Sequence, residues 1–157
     1  MKITLIFIGK TVKSFLKEGE KEYDDRLKHY VKMEEIIIPE LKNVSNLTIE
    51  EIKQKEGELV LAKVNANDTL ILLDDKGVQY TSEELANWIN IHQIKSTKNI
   101  VLVVGGAYGF SPDVYSNAKQ KLSLSRMTFS HQMVRLILKE QIYRAFTIIK
   151  GEPYHHK

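Results

Sequence analysis

Asn99-Ile100-Val101-Leu102-Val103-Val104-Gly105-Gly106-Ala107-Tyr108-Gly109-Phe110-Ser111-Pro112-Asp113 reads as a buried strand, a glycine loop and a helix start in succession. After Asn99 the run Ile100–Val104 is apolar throughout and mostly β-branched, as suits a strand covered on both faces. Ser111 is a helix cap, Pro112 suits the first helical position and Asp113 puts an acid in the first turn. A strand running through a loop into a helix is the unit of a parallel α/β sheet, and loops at the carboxyl ends of such strands bind small ligands.

The rest of the chain repeats the alternation. Lys2–Ile8 is a first strand, followed by a polar amphipathic helix over about Lys13–His29. Val31–Ile38 is a β-branched run stopped by Pro39, and residues 40–47 form a polar loop. Thr48-Ile49-Glu50-Glu51 and Thr81-Ser82-Glu83-Glu84 are capping boxes, opening helices to about Lys63 and Lys95. Between them lie a buried strand, Thr69–Leu73, and a turn at Asp74-Asp75-Lys76-Gly77. The Ser111 helix is short and ends near Lys119; Lys121–Leu124 is a further strand. A last helix spans about His131–Lys150, with Gly151 as its stop. The pattern predicts a single domain over residues 1–157, of α/β class, with a mostly parallel sheet and helices on both faces.

Composition narrows the function. The chain has 157 residues and no cysteine, which excludes disulfides and thiolate metal sites. The five histidines have no acidic partners at ligand spacing, so no metal is expected. The apolar start, Met1–Gly9, is too short for a membrane span and lacks a cleavage pattern, which points to a cytoplasmic protein. Net charge is +3, distributed as +5 over residues 101–157 and −2 over residues 1–100. A surface for a phosphate-bearing partner and an ordinary solvated basic face explain that asymmetry equally well.

The glycine loop is neither standard phosphate cradle: it lacks the P-loop lysine and spacing, and the dinucleotide fingerprint is absent. That disfavours hydride transfer. Asp74 and Asp75, adjacent on a strand, point to opposite faces and make a poor catalytic pair, so a turn role is preferred. The apolar residues of the last helix cover an arc of roughly 220°, wider than one stripe, and a second subunit is the cover this reading assigns to the excess. Arg144 falls inside that arc and must be paired or reach a polar site. The tail Gly151-Glu152-Pro153-Tyr154-His155-His156-Lys157 carries an aromatic and two imidazoles, suited to stacking on a base and to proton transfer.

With these residues in place, the chain resembles the small single-domain SPOUT-class methyltransferases that methylate N3 of a pseudouridine in 23S ribosomal RNA. The resemblance runs end to end. It is carried by Val103-Val104-Gly105-Gly106-x-x-Gly109, by Leu122-Ser123-Leu124-Ser125-Arg126-Met127-Thr128-Phe129-x-His131, and by Gln141-Ile142-Tyr143-Arg144-Ala145-Phe146 leading to Tyr154-His155. It implies a carboxyl-terminal trefoil knot, a homodimer, and S-adenosyl-L-methionine held by Leu73, Gly105, Leu124, Ser125, Arg126, Met127, Thr128 and Phe129. It also implies catalytic roles for His155, Tyr154 and Arg144, with His131 and Arg135 supporting the pocket or binding RNA. The expected partner is 23S RNA, within the assembled ribosome. Another RNA such as transfer RNA, or a ribosome-binding module without catalysis, is the alternative.

Two positions depart from the family pattern. Ser130 stands before His131 where proline is usual, and His156 is inserted before Lys157. The insertion leaves open which imidazole acts and whether Lys157 reaches phosphate.

Overall fold

Two strands at the centre of the sheet fix the rest. In the computed structural model, which describes residues 1–156, β1 (Lys2–Ile8) lies parallel to β4 (Asn99–Val104), with Leu5 opposite Leu102. Outside them lie β2 (Lys32–Ile38), β3 (Thr69–Gln79) and β5 (Gln120–Ser123), giving one five-stranded sheet in the order β2-β1-β4-β3-β5 with every pairing parallel. Period-two alternation divides the core. Ile3, Leu5, Phe7, Ile71, Ile100 and Leu102 face one layer; Ile6, Ile8, Leu70, Leu72, Val101 and Val103 face the other.

The right-handed crossover rule predicts which helix goes where. The β1-to-β2 and β3-to-β4 connections step in the same direction across the sheet, so α1 (Ser14–Leu27) and α3 (Ser82–Ile94) share a face. Those from β2 to β3 and from β4 to β5 step the opposite way and place α2 (Ile49–Leu61) and α4 (Pro112–Asn117) on the other face. The cores agree: Leu27, Leu85 and Ile89 belong to one cluster, Val60 and Val114 to the other.

The last helix, α5 (Met133–Lys150), lies between α1 and α3. Leu138, Ile142, Ala145 and Phe146 are buried toward the sheet. Of the ten apolar residues in the wide arc these four are buried by the sheet below and a helix on each side, while Met133, Val134, Leu136, Ile137, Ile148 and Ile149 are only partly covered within the chain.

Local chemistry sets the helix starts. Thr48 and Thr81 each form both halves of a capping box: their hydroxyls accept from Glu51 N and Glu84 N at 3.2 and 3.1 Å, and the glutamates accept from the cap amides at 2.7 Å. α5 begins two residues later than expected, after a turn at His131 and Gln132, and Ser130 Oγ accepts from Met133 N at 3.2 Å. Gly151, at φ 67°, ends it.

The sequence also expects the chain to turn away at Asp74–Gly77. It does not: β3 continues to Gln79, and residues 74–77 bulge out of a ladder in which Leu73 and Val78 both pair with Leu122. The turn chemistry survives inside the bulge, with Asp74 Oδ1 accepting from Lys76 N at 2.9 Å. Gly77 is what lets β3 return to β5, because a Cβ there would lie 2.5 Å from the Leu122 carbonyl carbon.

Two cations are buried with α5. Arg135 and Lys139, one turn apart, are each 1 % exposed and lie over the Phe7 ring. Lys139 donates to Glu20 (3.1 Å), Asp24 (2.9 Å) and Glu35 (2.6 Å). Arg135 donates to the carbonyls of Ile8 (2.7 Å), Gly9 (3.0 Å) and His131 (3.0 Å) and to Thr11 Oγ1 (3.2 Å).

Substituting Gly77→Ala forces backbone of β3 and β5 apart and should lower unfolding free energy by about 1–3 kcal/mol, the usual range for overpacking, in chemical denaturation. Thr48→Ala and Thr81→Ala should each cost about 1 kcal/mol through the lost cap.

Candidate active site

The carboxyl ends of β3, β4 and β5 open into a cavity of about 590 Å³, within the range of small-ligand sites. Its apolar side is made by Leu73, Val104, Leu122, Leu124 and Phe129. Two segments without regular structure close it: the glycine loop after β4 and residues 124–131 after β5. Gly105 lies against the Phe110 ring, 3.0 Å from where a Cβ would project, so any larger residue must displace that ring, and Gly109 takes φ +78°, which favours glycine.

The bulge in β3 supplies the cavity's charge. Asp74 Oδ2 accepts from the Tyr115 hydroxyl at 2.5 Å. Burial alone would push the Asp74 carboxyl up, but the Tyr115 hydroxyl and the Lys76 amide hold it below the usual carboxylate range. Tyr115 moves the other way, to about 12, through burial and the Asp74 charge. Asp74 is therefore an anchored anion and a weak base. On the far side of the glycine loop, Glu56 lies against Gly106, its carboxyl raised by burial and by Glu40.

The tail lies elsewhere, folded back against α5. Tyr154 packs edge-on to Tyr143 at 4.7 Å, and the Arg144 guanidinium lies over its ring at 4.8 Å. The Tyr154 hydroxyl donates to Glu140 Oε1 (3.2 Å) and lies 3.3 Å from the Tyr23 hydroxyl. Burial, then Tyr23 and Glu140, raise its pKa well above the phenolic range. Arg144 donates to Glu140 through Nε (3.0 Å) and Nη2 (2.5 Å). His155 Nε2 lies 3.0 Å from Glu83 Oε1, and its Nδ1 lies 3.5 Å from Arg144 Nη1. A guanidinium has no acceptor, so this network assigns the imidazole proton to Nε2, toward Glu83, and the lone pair to Nδ1.

Arg135 apart, the structure sorts the expected residues into three groups. Leu73, Gly105, Leu124, Ser125, Met127, Thr128, Phe129 and His131 line one cavity. Arg126 is exposed in the same loop but is not among the lining residues. Arg144, Tyr154 and His155 come together outside that cavity, beside Glu140 of α5 and Glu83 of α3.

Arg135 does not fit a substrate-contact role. It is buried and spends four of its N–H groups on protein oxygens, so it has no face to offer RNA. The basic excess of residues 101–157 shrinks for the same reason: Arg135 and Lys139 are interior, and Arg144 is paired. Lys157 and its expected phosphate contact lie outside the described residues. Among the described residues, no group of three or more His, Asp or Glu side chains is placed to hold a metal ion, and no helix is long and apolar enough to cross a membrane.

Sequence reasoning missed Glu83, Glu140 and Tyr23, the partners of the tail. Glu140 was within reach, because it stands four residues before Arg144 on one helix. Glu83 is 72 residues from His155 and carries no local signal.

Comparison with known proteins gives this geometry a lineage. The family model described as a predicted SPOUT methyltransferase matches residues 1–155. Curated relatives named ribosomal RNA large subunit methyltransferase H align over the whole of both chains: 52 % identical in Christiangramia forsetii, 51 % in Parabacteroides distasonis and 48 % in Flavobacterium johnsoniae. The chain belongs to the SPOUT methyltransferase family.

Proposed function

We propose that this protein transfers a methyl group from S-adenosyl-L-methionine to N3 of a pseudouridine in 23S ribosomal RNA. The observation that carries the cofactor assignment is the cavity at the ends of β3, β4 and β5: an apolar wall for an adenine ring beside two loops whose backbone can meet its nitrogens and the ribose. Asp74 and Asp75, on the same cavity, suit a ligand bearing a sulfonium and an ammonium. When bound, the cofactor supplies an electrophilic methyl carbon. N3 must lose its proton as the nitrogen–carbon bond forms and the carbon–sulfur bond breaks. The protein's share is to align the nucleophile, exclude water and move that proton.

The roles fall to the tail. His155 takes the N3 proton or orients the base, Tyr154 stacks on or orients it, and Arg144 holds phosphate or the developing imide anion. Glu83 and Glu140 support this reading, because each fixes one of these side chains by a hydrogen bond. His131, on the cavity itself, contacts the substrate.

We further infer a homodimer in which the tail of one copy serves the cavity of the other. Two features favour it. His155, Tyr154 and Arg144 are absent from their own chain's cavity lining. Exposed apolar residues also gather where α1 and α5 begin: Val12 and Phe15, beside a Gln132 that accepts from Val12 N at 2.9 Å, with Met127 and Phe129 nearby in sequence. The trefoil knot belongs to the same inference. Residues from 105–110 and 124–131 line the same cavity, which favours it. The place of action would be the cytoplasm, on an assembled ribosome.

Labelled S-adenosyl-L-methionine, incubated with 70S ribosomes and with free 23S RNA from cells lacking the enzyme, should place label on N3 of one pseudouridine. Absence of label from both, with cofactor binding intact, would overturn the substrate and make transfer RNA the next one to test. His155→Ala should lower kcat by about 100-fold or more, the low end for a lost acid–base group, while cofactor affinity holds. Phe15→Glu should convert dimer to monomer in sedimentation and abolish methylation together; a dimer that survives it argues against this surface.

A further inference from the structure

Arg135 is one of two buried cations among the described residues, and it differs from the other, Lys139, in what it binds. Its charge is not spent on a carboxylate. Its Nε donates to the His131 carbonyl, its Nη2 to the Ile8 carbonyl, and its Nη1 to the Gly9 carbonyl and to Thr11 Oγ1. The Thr11 hydroxyl in turn donates to Glu20 Oε1 at 2.6 Å, and Glu20 accepts from Lys139 at 3.1 Å.

The three carbonyls belong to two segments that share no secondary structure. Ile8 ends β1 and Gly9 follows it; His131 ends the segment 124–131 that closes the cavity. That segment is anchored at its start by β5, where the Ser123 hydroxyl donates to the Ser125 carbonyl at 2.9 Å. Its far end has no strand to hold it. A planar guanidinium with five fixed donors can bind carbonyls from both segments at once.

We propose that Arg135 is a positioning residue for the cofactor: it holds the His131 end of the 124–131 segment against the end of β1, and so sets the shape of the cavity wall without touching the ligand. This rests on the reading of that cavity as the cofactor site. A lysine at position 135 keeps the charge but lacks the fork, and so cannot hold both segments.

The test uses the full chain, with S-adenosylhomocysteine as probe, read by calorimetric titration and by amide hydrogen exchange. Arg135→Lys should weaken binding about tenfold or more, as loss of an outer contact that orients a site commonly does. It should also raise exchange in 124–131 while leaving KM for RNA unchanged at saturating cofactor. Thr11→Val, which removes one acceptor of the guanidinium, should shift both readouts a few-fold in the same direction, and it decides the matter alone if Arg135→Lys does not fold. Ile142→Val, a core change on the same helix, should lower melting temperature and move neither. Unchanged affinity and unchanged exchange in folded variants overturn the proposal, and so does a change confined to KM for RNA. If the unaltered protein binds no S-adenosylhomocysteine, the cofactor reading fails on its own, while the exchange data still decide whether Arg135 holds the segment.

Discussion

A guanidinium buried at the mouth of a parallel sheet is the constraint around which this molecule is arranged. Arg135 is desolvated, and an unpaired buried charge is not tolerated. Its donors find the Ile8 and Gly9 carbonyls, which β1 leaves free at its end, and the His131 carbonyl at the approach to α5. One turn along, Lys139 solves the same problem differently, gathering carboxylates from α1 and β2. Burial works against the ammonium, yet the Glu35 and Asp24 contacts hold its pKa above the ordinary lysine value. The two cations fix α5 in register on the sheet more sharply than its leucines and isoleucines do, because hydrogen bonds have direction and apolar contacts do not.

Much of the frame is legible in the sequence. Asn99–Val104 reads as a buried strand and is one; both threonine capping boxes form as their spacing predicts. These features depend on neighbours within a few residues. Asp74–Gly77 shows where such local reading stops. Its turn chemistry is real, but whether a turn ends a strand or bulges from it depends on what lies alongside, here Leu122 across the ladder. The breadth of the apolar arc on α5 is read incompletely for a related reason: a helical wheel counts apolar positions without knowing that α1 and α3 flank them.

The site divides in the same way. The cavity residues are legible because they come from contiguous runs at strand ends, the places where parallel sheets bind ligands. Arg135 is not, since nothing in a sequence tells a cation that reaches solvent from one that reaches backbone carbonyls. Glu83 is hidden because its meaning comes from His155, far along the chain. The result is a cavity of mostly apolar and backbone character, whose one tightly held anion is Asp74. His155, Tyr154 and Arg144 form a separate cluster with Glu83 of α3, Glu140 of α5 and Tyr23 of α1.

That separation bears on how the protein is made. Every wall of the cavity lies after residue 72, and the guanidinium that joins its His131 end to the end of β1 comes later still, at residue 135. A chain growing from its amino end acquires β1 and its unpaired carbonyls early, and these remain without donors until α5 is delivered. The finished cavity is therefore among the last features to form, and a chain interrupted before α5 would carry every lining residue but Val134 without the guanidinium that holds the His131 end in place.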